Sequence, residues 1–472
     1  MSRVVVVGAG VGGLAAAARL AHLGHEVELL EARDAPGGLA SSVVHGGLAF
    51  DAGPYVLLDR PGLEWAFERL GTGLAERLSL VRLEEVYRVE LEGGARVRIH
   101  SDAGRTADEL EREWPGAGRR YADFVRRTAR VHARLRPLQF VPRPRLSDLA
   151  RSGAWRDVPF LLRSLEGVLA RSGLPEPVRR ALAIWTHVAA GDVRAAPSPL
   201  ALVPALVHGV GAFVPEGGVG RVAAVLADRA RELGVRLRTG CRVAGLVCEG
   251  GRAAGVRLAE GGEVRADAVV SNYSGLGTTL EWIEGLRAAA ARRLARLPLQ
   301  SPGVCAYLEL RARGDAYLRF FLPASSGCRL FVQPAAIGHP ARDGAYPARL
   351  IAPLRHAEAA ALDEDAQERA LERLLAEPWW RAGAGEVRVL ATRVPRAFGR
   401  DFHLYRESMN PAMTARFMRR GRLAHRSPHL ERLYLAGSST HPGQWVSFCA
   451  VSGVHAADLC AADLRSAARR PC

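Results

Sequence analysis

An α/β fold, with a parallel sheet assembled from three separated stretches and a second, α+β domain threaded between them, follows from three observations. A β-branched run from Arg3 to Val7 leads through a glycine-rich turn into a helix-forming stretch from Leu14 to Leu23. The same strand, turn and helix grammar returns near residues 213–272 and again after residue 433. The intervening stretches are amphipathic-helical and poor in that grammar. At 472 residues the chain also exceeds the ~250–300 residues at which one hydrophobic core stops growing, so two intertwined domains are expected.

The first block is one βαβ unit. Its opening strand is uniformly apolar, as suits a parallel strand buried on both faces, and Glu26 to Leu30 supplies the second strand. In the second block, Gly217 to Gly220 open a helix through Leu233. Short strands follow near Val235–Leu237, Val243–Val247, Ala254–Leu258 and Ala268–Val270. The third has a strand at Leu433–Ala436, a Gly-Ser-Ser turn and a helix over Val451–Leu464. The division predicted is 1–99, 212–275 and 424–472 for the nucleotide-binding domain, with 100–211 and 276–423 forming the inserted substrate domain. No internal repeat is present.

Composition narrows the class. Hydrophobic residues at 48% and charged residues at 24% describe a globular chain, and no stretch reaches the ~20 apolar residues of a membrane span. The opening MSRVVVVGAGVGG is broken by glycines too early for a signal peptide, which predicts a cytoplasmic protein. Seven cysteines (Cys241, Cys248, Cys305, Cys328, Cys449, Cys460 and Cys472) without a C-x-x-C pair suit reduced thiols and imply no metal. The net charge of +16 raises a nucleic-acid partner, but the arginines read as scattered and no nucleic-acid module is present. The surplus of arginine suits either contact with anionic lipid at the inner face of a membrane or an Ala-, Arg- and Gly-rich composition that uses arginine wherever a surface cation is tolerated. The segment Arg145–Arg171, which mixes arginines with Trp155, Phe160, Leu161, Leu162, Leu165, Val168 and Leu169, is a candidate to lie in the headgroup plane or to pack as an ordinary surface helix.

Gly8, Gly10 and Gly13 form a G-x-G-x-x-G between strand and helix. Gly8 permits the tight turn, Gly10 lets a pyrophosphate approach the backbone at the helix N-terminus, and Gly13 allows the helix to pack on the strand. Glu31, about 20 residues on, is placed to accept hydrogen bonds from a ribose hydroxyl and to repel a phosphorylated ribose. The fold predicted is therefore Rossmann-type.

Glu31-Ala-Arg-Asp-Ala-Pro-Gly-Gly38 resembles the E-x-R-x-x-x-G-G continuation of the flavoprotein superfamily that includes phytoene desaturases, amine oxidases and prenylated-protein dissociation inhibitors. Phe50-Asp-Ala-Gly-Pro54 is similar to the F-D-x-G-P segment of phytoene desaturases, and Leu433-Tyr-Leu-Ala-Gly-Ser-Ser-Thr-His-Pro-Gly443 to their L-Y-L-x-G-x-x-T-H-P-G signature. The resemblance covers both ends and the middle block, and matches the rest loosely. It implies FAD, held by Gly8, Gly10, Gly12, Gly13, Glu31, Arg33, Gly37, Gly38, Leu39, Gly53, Pro54 and Val243 on one side. On the other it implies Gly437, Ser438, Thr440, Gly443, Trp445 and Val446. Arg33 is expected to pair with a phosphate. His441 is the candidate general base, with fixing the turn as its other role.

The chain departs from the family after Gly443. Gln444-Trp-Val-Ser-Phe-Cys449 replaces a small, glycine-rich stretch, so Trp445 and Phe448 either reshape the cavity beside the flavin or pack into the core. Cys449 is a candidate covalent flavin tether or a small buried hydrophobe. The implied reaction is desaturation: hydride transfer to the flavin and loss of a neighbouring proton, on a lipophilic polyene or isoprenoid, with oxygen or a quinone as electron acceptor. The mostly aliphatic stretch Leu200–Val214 suits the wall of a greasy tunnel, or core. The alternatives are a flavin-dependent saturase or isomerase, an amine oxidase, and a lipid-escort protein that does no chemistry.

Overall fold

The computed structural model describes residues 1–186, 192–312, 316–323, 328–332, 343–381 and 385–468; Cys472 lies outside them. Strand β1 (Arg3–Val7) is buried along its valines, whose branched side chains favour the extended backbone. It sits centrally in a five-stranded parallel sheet, ordered Leu433–Leu435, Ala268–Ser271, β1, β2 (Glu26–Leu30) and Arg236–Arg238. The beginning, middle and end of the chain thus share one sheet.

Helix α1 (Val11–His22) follows β1 and is buried nearly all round, which its run Ala15–Ala18 permits. It packs between the helix Gly220–Glu232 and the long C-terminal helix Val446–Ala468. The last contact is so close that a Cβ on Gly453 would lie 2.1 Å from the Gly12 carbonyl oxygen. The C-terminal helix begins five residues before the expected Val451. Trp445 and Phe448 obscure its first turn, because aromatic residues carry weak helix propensity.

A second, seven-stranded sheet runs in the order Val387–Arg393, Val304–Leu310, Tyr346–Ala352, Arg329–Val332, Leu318–Leu322, Glu85–Leu91, Arg96–His100. It is antiparallel except where Leu318–Leu322 meets Glu85–Leu91. Residues Tyr87, Phe124, Val203 and Phe320 share the core between it and the helices of residues 103–209. Two expected breaks cut elements: 99 falls inside Arg96–His100, and 275 opens the helix Gly275–Trp282. Alternation along a strand shows which face is buried but not which sheet the strand joins, so residues 85–100 read equally well in either.

One further expectation changes, and one open choice is decided. Arg145–Arg171 is not one amphipathic helix: Gly153, at φ +74°, and Pro159 break it into short pieces. Of the two readings of Leu200–Val214 the core one holds: it forms the turn Ser198–Leu202, the helix Val203–Gly209 and the strand Phe213–Pro215 within the core, away from the large cavity of the candidate site. Among the described residues no helix is long and apolar enough to cross a membrane.

Candidate active site

At the C-terminal edge of the parallel sheet a cavity of about 1130 Å³ opens, somewhat larger than the ~300–1,000 Å³ typical of small-ligand pockets. Gly8, Gly10 and Gly12 line it, with Gly8 at φ +88° making the turn out of β1. Gly10 is the N-cap of α1, and no side chain caps the helix, so its first amides remain free for an anion. Gly13 does not line the cavity. A Cβ there would lie 1.9 Å from the Gly8 carbonyl oxygen, so its role is the close packing of helix against turn.

Asn272, at the end of the strand Ala268–Ser271, is wedged among these glycines. A Cβ on Gly10 would lie 2.7 Å from its Nδ2, while one on Gly12 or Gly437 would lie 2.5 or 2.6 Å from its Oδ1. The three glycines are thus required by their contact with Asn272 as well as by a ligand. Asn272 is absent from the expected set, although a polar residue closing the strand Ala268–Ser271 is a readable signal.

Glu31 is buried and lines the cavity; its carboxylate accepts the Ala9 amide at 2.6 Å and the Arg33 amide at 3.0 Å. A carboxylate offers about four acceptor positions, so two amides orient it and leave capacity for ribose hydroxyls. Arg33 lies 4.3 Å over the Phe402 ring and donates to Ser41 Oγ at 3.2 Å, which holds its guanidinium at the cavity wall. Burial lowers its pKa. Gly37, Gly38, Leu39, Gly53, Pro54 and Val243 also line the cavity. Gly37 has φ +123°, and a Cβ on Gly53 would lie 2.6 Å from the Leu39 carbonyl oxygen.

Arg349, absent from the expected set, reaches this segment from the seven-stranded sheet. It donates to the Gly53 carbonyl at 2.9 Å and to the Asp51 carbonyl. The Asp51 carboxylate accepts the amide of Gly220 at 3.1 Å, at the start of the helix Gly220–Glu232. One short segment therefore joins both sheets.

From the C-terminal signature, Gly437, Ser438, Trp445 and Val446 line the cavity, and Thr440 and Gly443 do not. Thr440 is fully buried; its hydroxyl donates to the Gly437 carbonyl at 2.8 Å and pairs with Ser452 Oγ at 2.6 Å. Gly443 packs against Arg422 and Phe448. Both shape the turn and leave the ligand to others. His441 also falls outside the cavity: its Nε2 donates to the Leu138 carbonyl at 2.9 Å, and burial lowers its pKa to about 4. The expectation of a general base is corrected, because the ring faces the helical turn Arg136–Phe140. His441, His455 and His425 instead form a buried row, with centroids 6.4 and 5.7 Å apart.

Trp445 and Phe448 stack, with centroids 5.0 Å apart, and only Trp445 reaches the cavity. Cys449 lines it too, but burial pushes its thiol up to about 12, which leaves it protonated and a poor nucleophile for a flavin tether.

Beyond the glycine cradle the cavity continues between Tyr55, Trp185, Phe320, Leu330 and Ile351. Asp59 is the buried carboxyl on this wall. Its Oδ1 accepts the Gly62 amide at 3.3 Å and caps the helix Arg60–Arg69. Its Oδ2 has no partner in hydrogen-bond geometry, with Ser447 and Gln139 beside it, and burial raises its pKa. The residues present thus fit a flavin dinucleotide: free helix amides for the pyrophosphate, Glu31 for a ribose, and an apolar space beyond.

Residues 11–301, more than half of the chain, match the model of the flavin containing amine oxidoreductases. A zeta-carotene-forming phytoene desaturase of Myxococcus xanthus is 35% identical over 322 residues, covering 66% of this chain and 60% of that protein. A hydroxyneurosporene desaturase of Cereibacter sphaeroides is 37% identical over 279 residues, 57% of this chain and 56% of that protein. The chain thus spans little more than half the length of these relatives. The crystal structure of an oxidoreductase from Methanosarcina mazei superimposes with a TM-score of 0.69 over 96% of this chain and 98% of that one; at 18% identity it shows the shared fold. The cofactor is FAD, and the chain belongs to the family of flavin containing amine oxidoreductases.

Proposed function

We propose that this chain is an FAD-dependent desaturase acting on a CH–CH bond of a lipophilic polyene or isoprenoid. The observation that carries the reading is the apolar continuation of the cofactor cavity between Tyr55, Trp185, Phe320, Leu330 and Ile351. Such a wall holds a hydrocarbon chain by burial alone, at roughly 25 cal/mol per Å². The names of the two relatives agree with it, since both act on carotenoids. The seven-stranded sheet and its helices then serve as an inserted α+β substrate domain.

FAD supplies the hydride acceptor when bound. The chain's residues position the substrate carbon, exclude water and receive the proton. Asp59 is assigned the last role, since it combines burial with a place on the cavity wall and a carboxyl that burial makes easier to protonate. The substrate loses a hydride and the neighbouring proton, a C=C bond forms, and oxygen or a quinone takes the electrons in a later step. A lipophilic substrate of this kind suits contact with a membrane at the inner face of the cell.

Incubation of the flavin-loaded protein with phytoene and an acceptor, followed by chromatography and mass spectrometry, tests the reading. A product lacking two hydrogens is expected. Conversion only with reduced flavin, to a product that gains hydrogens, would replace it with a saturase. Peroxide release from a polar amine would replace it with an amine oxidase.

A further inference from the structure

The arginines, expected to be scattered, concentrate in residues 117–171. This stretch holds thirteen arginines, no lysine and four carboxylates, a net charge of +9 within the chain's +16. The helix Ala117–Leu135 carries a row of them, and Arg120, Arg126, Arg127 and Arg130 surround a surface recess with Asp123 and Ser172.

Large apolar side chains protrude from the same stretch. Leu146 is 86% exposed, Trp155 56%, Leu162 56% and Val158 38%. Apart from Met1, the only comparably exposed large apolar residues among those described are Val44 and Val389. The breaks at Gly153 and Pro159 have a consequence here. They let Leu165, Val168 and Leu169 turn into the core while Trp155 and Leu162 turn out. Asp157 clamps the protruding turn to the long helix through a two-point pair with Arg134, both contacts at 2.6 Å. Arg156 lies 5.2 Å over the Trp155 ring, a cation–π contact that places a charge beside the exposed aromatic.

We propose that this surface, centred on Trp155 and Leu162 and rimmed by the arginines of residues 119–163, docks the protein on an anionic lipid bilayer. Phosphate headgroups meet the guanidinium rim, and the four apolar side chains enter the boundary between headgroups and acyl chains. A nucleic acid would match the arginines but gain nothing from Leu146, Val158 and Leu162, which carry no stacking face. Charge and exposed aliphatic surface together select lipid. The proposal does not depend on which reaction the flavin performs.

Flotation of the flavin-loaded full chain with phosphatidylglycerol/phosphatidylcholine vesicles, and with pure phosphatidylcholine vesicles, tests it. Binding to the anionic vesicles is expected, at least tenfold weaker to the neutral ones, and weakened by salt. The triple variant L146S/W155S/L162S is expected to lose at least tenfold in vesicle binding while keeping the parent's flavin spectrum and melting temperature. Should it fail to fold, the single variants W155S and L162S replace it. Equal binding to both vesicles, or vesicle binding unchanged in the apolar variants, would overturn the proposal. So would binding of a single-stranded oligonucleotide that outcompetes vesicles and that R126E/R127E abolishes while the apolar variants keep it.

Discussion

Arg349 donates to the carbonyl oxygen of Gly53 at 2.9 Å, tying the seven-stranded sheet to the segment that passes beside the cofactor. The Gly53 backbone is held against Leu39 as well, so the passage has little freedom. Methionine at position 349 fills similar volume but leaves the carbonyls of Asp51 and Gly53 without their donor, at a cost of about 1–3 kcal/mol for a buried group. R349M is expected to lower the melting temperature and to release FAD more readily on dilution. Fluorescence of freed flavin and a thermal melt check both, and unchanged retention would show that the segment is fixed by other contacts.

Alanine at Gly12 brings a methyl to within 2.5 Å of Asn272 Oδ1 and 3.0 Å of the Gly437 backbone. The side chain can yield, but the backbone turn cannot without moving the second half of the cradle. Overpacking of this kind costs typically ~1–3 kcal/mol. G12A is expected to purify with less than about a tenth of the parent's bound flavin while keeping its helical circular dichroism. Full flavin occupancy would contradict the geometry of the cradle.

The buried row of His425, His441 and His455 predicts acid sensitivity. Burial lowers each to about 4, whereas an exposed histidine titrates near 6.5. The unfolded chain therefore binds more protons between these values, and stability present above pH ~6.5 is lost as pH falls toward 4. Melts at pH 7.5, 6.0 and 5.0 should show a steep decline that is flatter in H441Q. A flat profile in the parent would show that the imidazoles are not held neutral.

Asparagine at position 59 keeps the helix cap, since Asn and Asp cap equally well, but cannot accept a proton. D59N is expected to lose about 10²–10⁴-fold in kcat with flavin content and melting temperature unchanged. In the parent, kcat should fall as acidification protonates the carboxyl, at a pH above the usual carboxylate range because burial raises its pKa. That limb should vanish in D59N. An unaltered pH profile would remove Asp59 from the reaction.

The legible parts were those where chemistry fixes local spacing. The turn from Gly8 to Gly13, Glu31 and the Gly37–Gly38 pair stand close in sequence and converge on the cavity, as their spacing predicts. Residues acting through tertiary contact escaped. Arg349 lies nearly 300 positions from Gly53, and nothing in its own strand distinguishes it from other buried arginines. His441 misled for the converse reason. It sits inside a signature that approaches the cofactor, but the turn points its ring toward Leu138. The first turn of the C-terminal helix, which brings Trp445 and Val446 to the cavity, was obscured by aromatic residues that belong to no helical stripe. The protruding apolar residues of 146–162 were visible as a composition, but their division between core and solvent depends on Gly153 and Pro159 breaking the helix.

The most direct test of the account is anaerobic mixing of the flavin-loaded protein with phytoene while the visible absorption of the flavin is followed. The account predicts bleaching of the oxidised flavin bands, at a rate lowered by D59N, with recovery when oxygen or a quinone is admitted. Flavin bands that stay unchanged with phytoene and other polyenes, yet bleach on addition of a small polar amine, would contradict it.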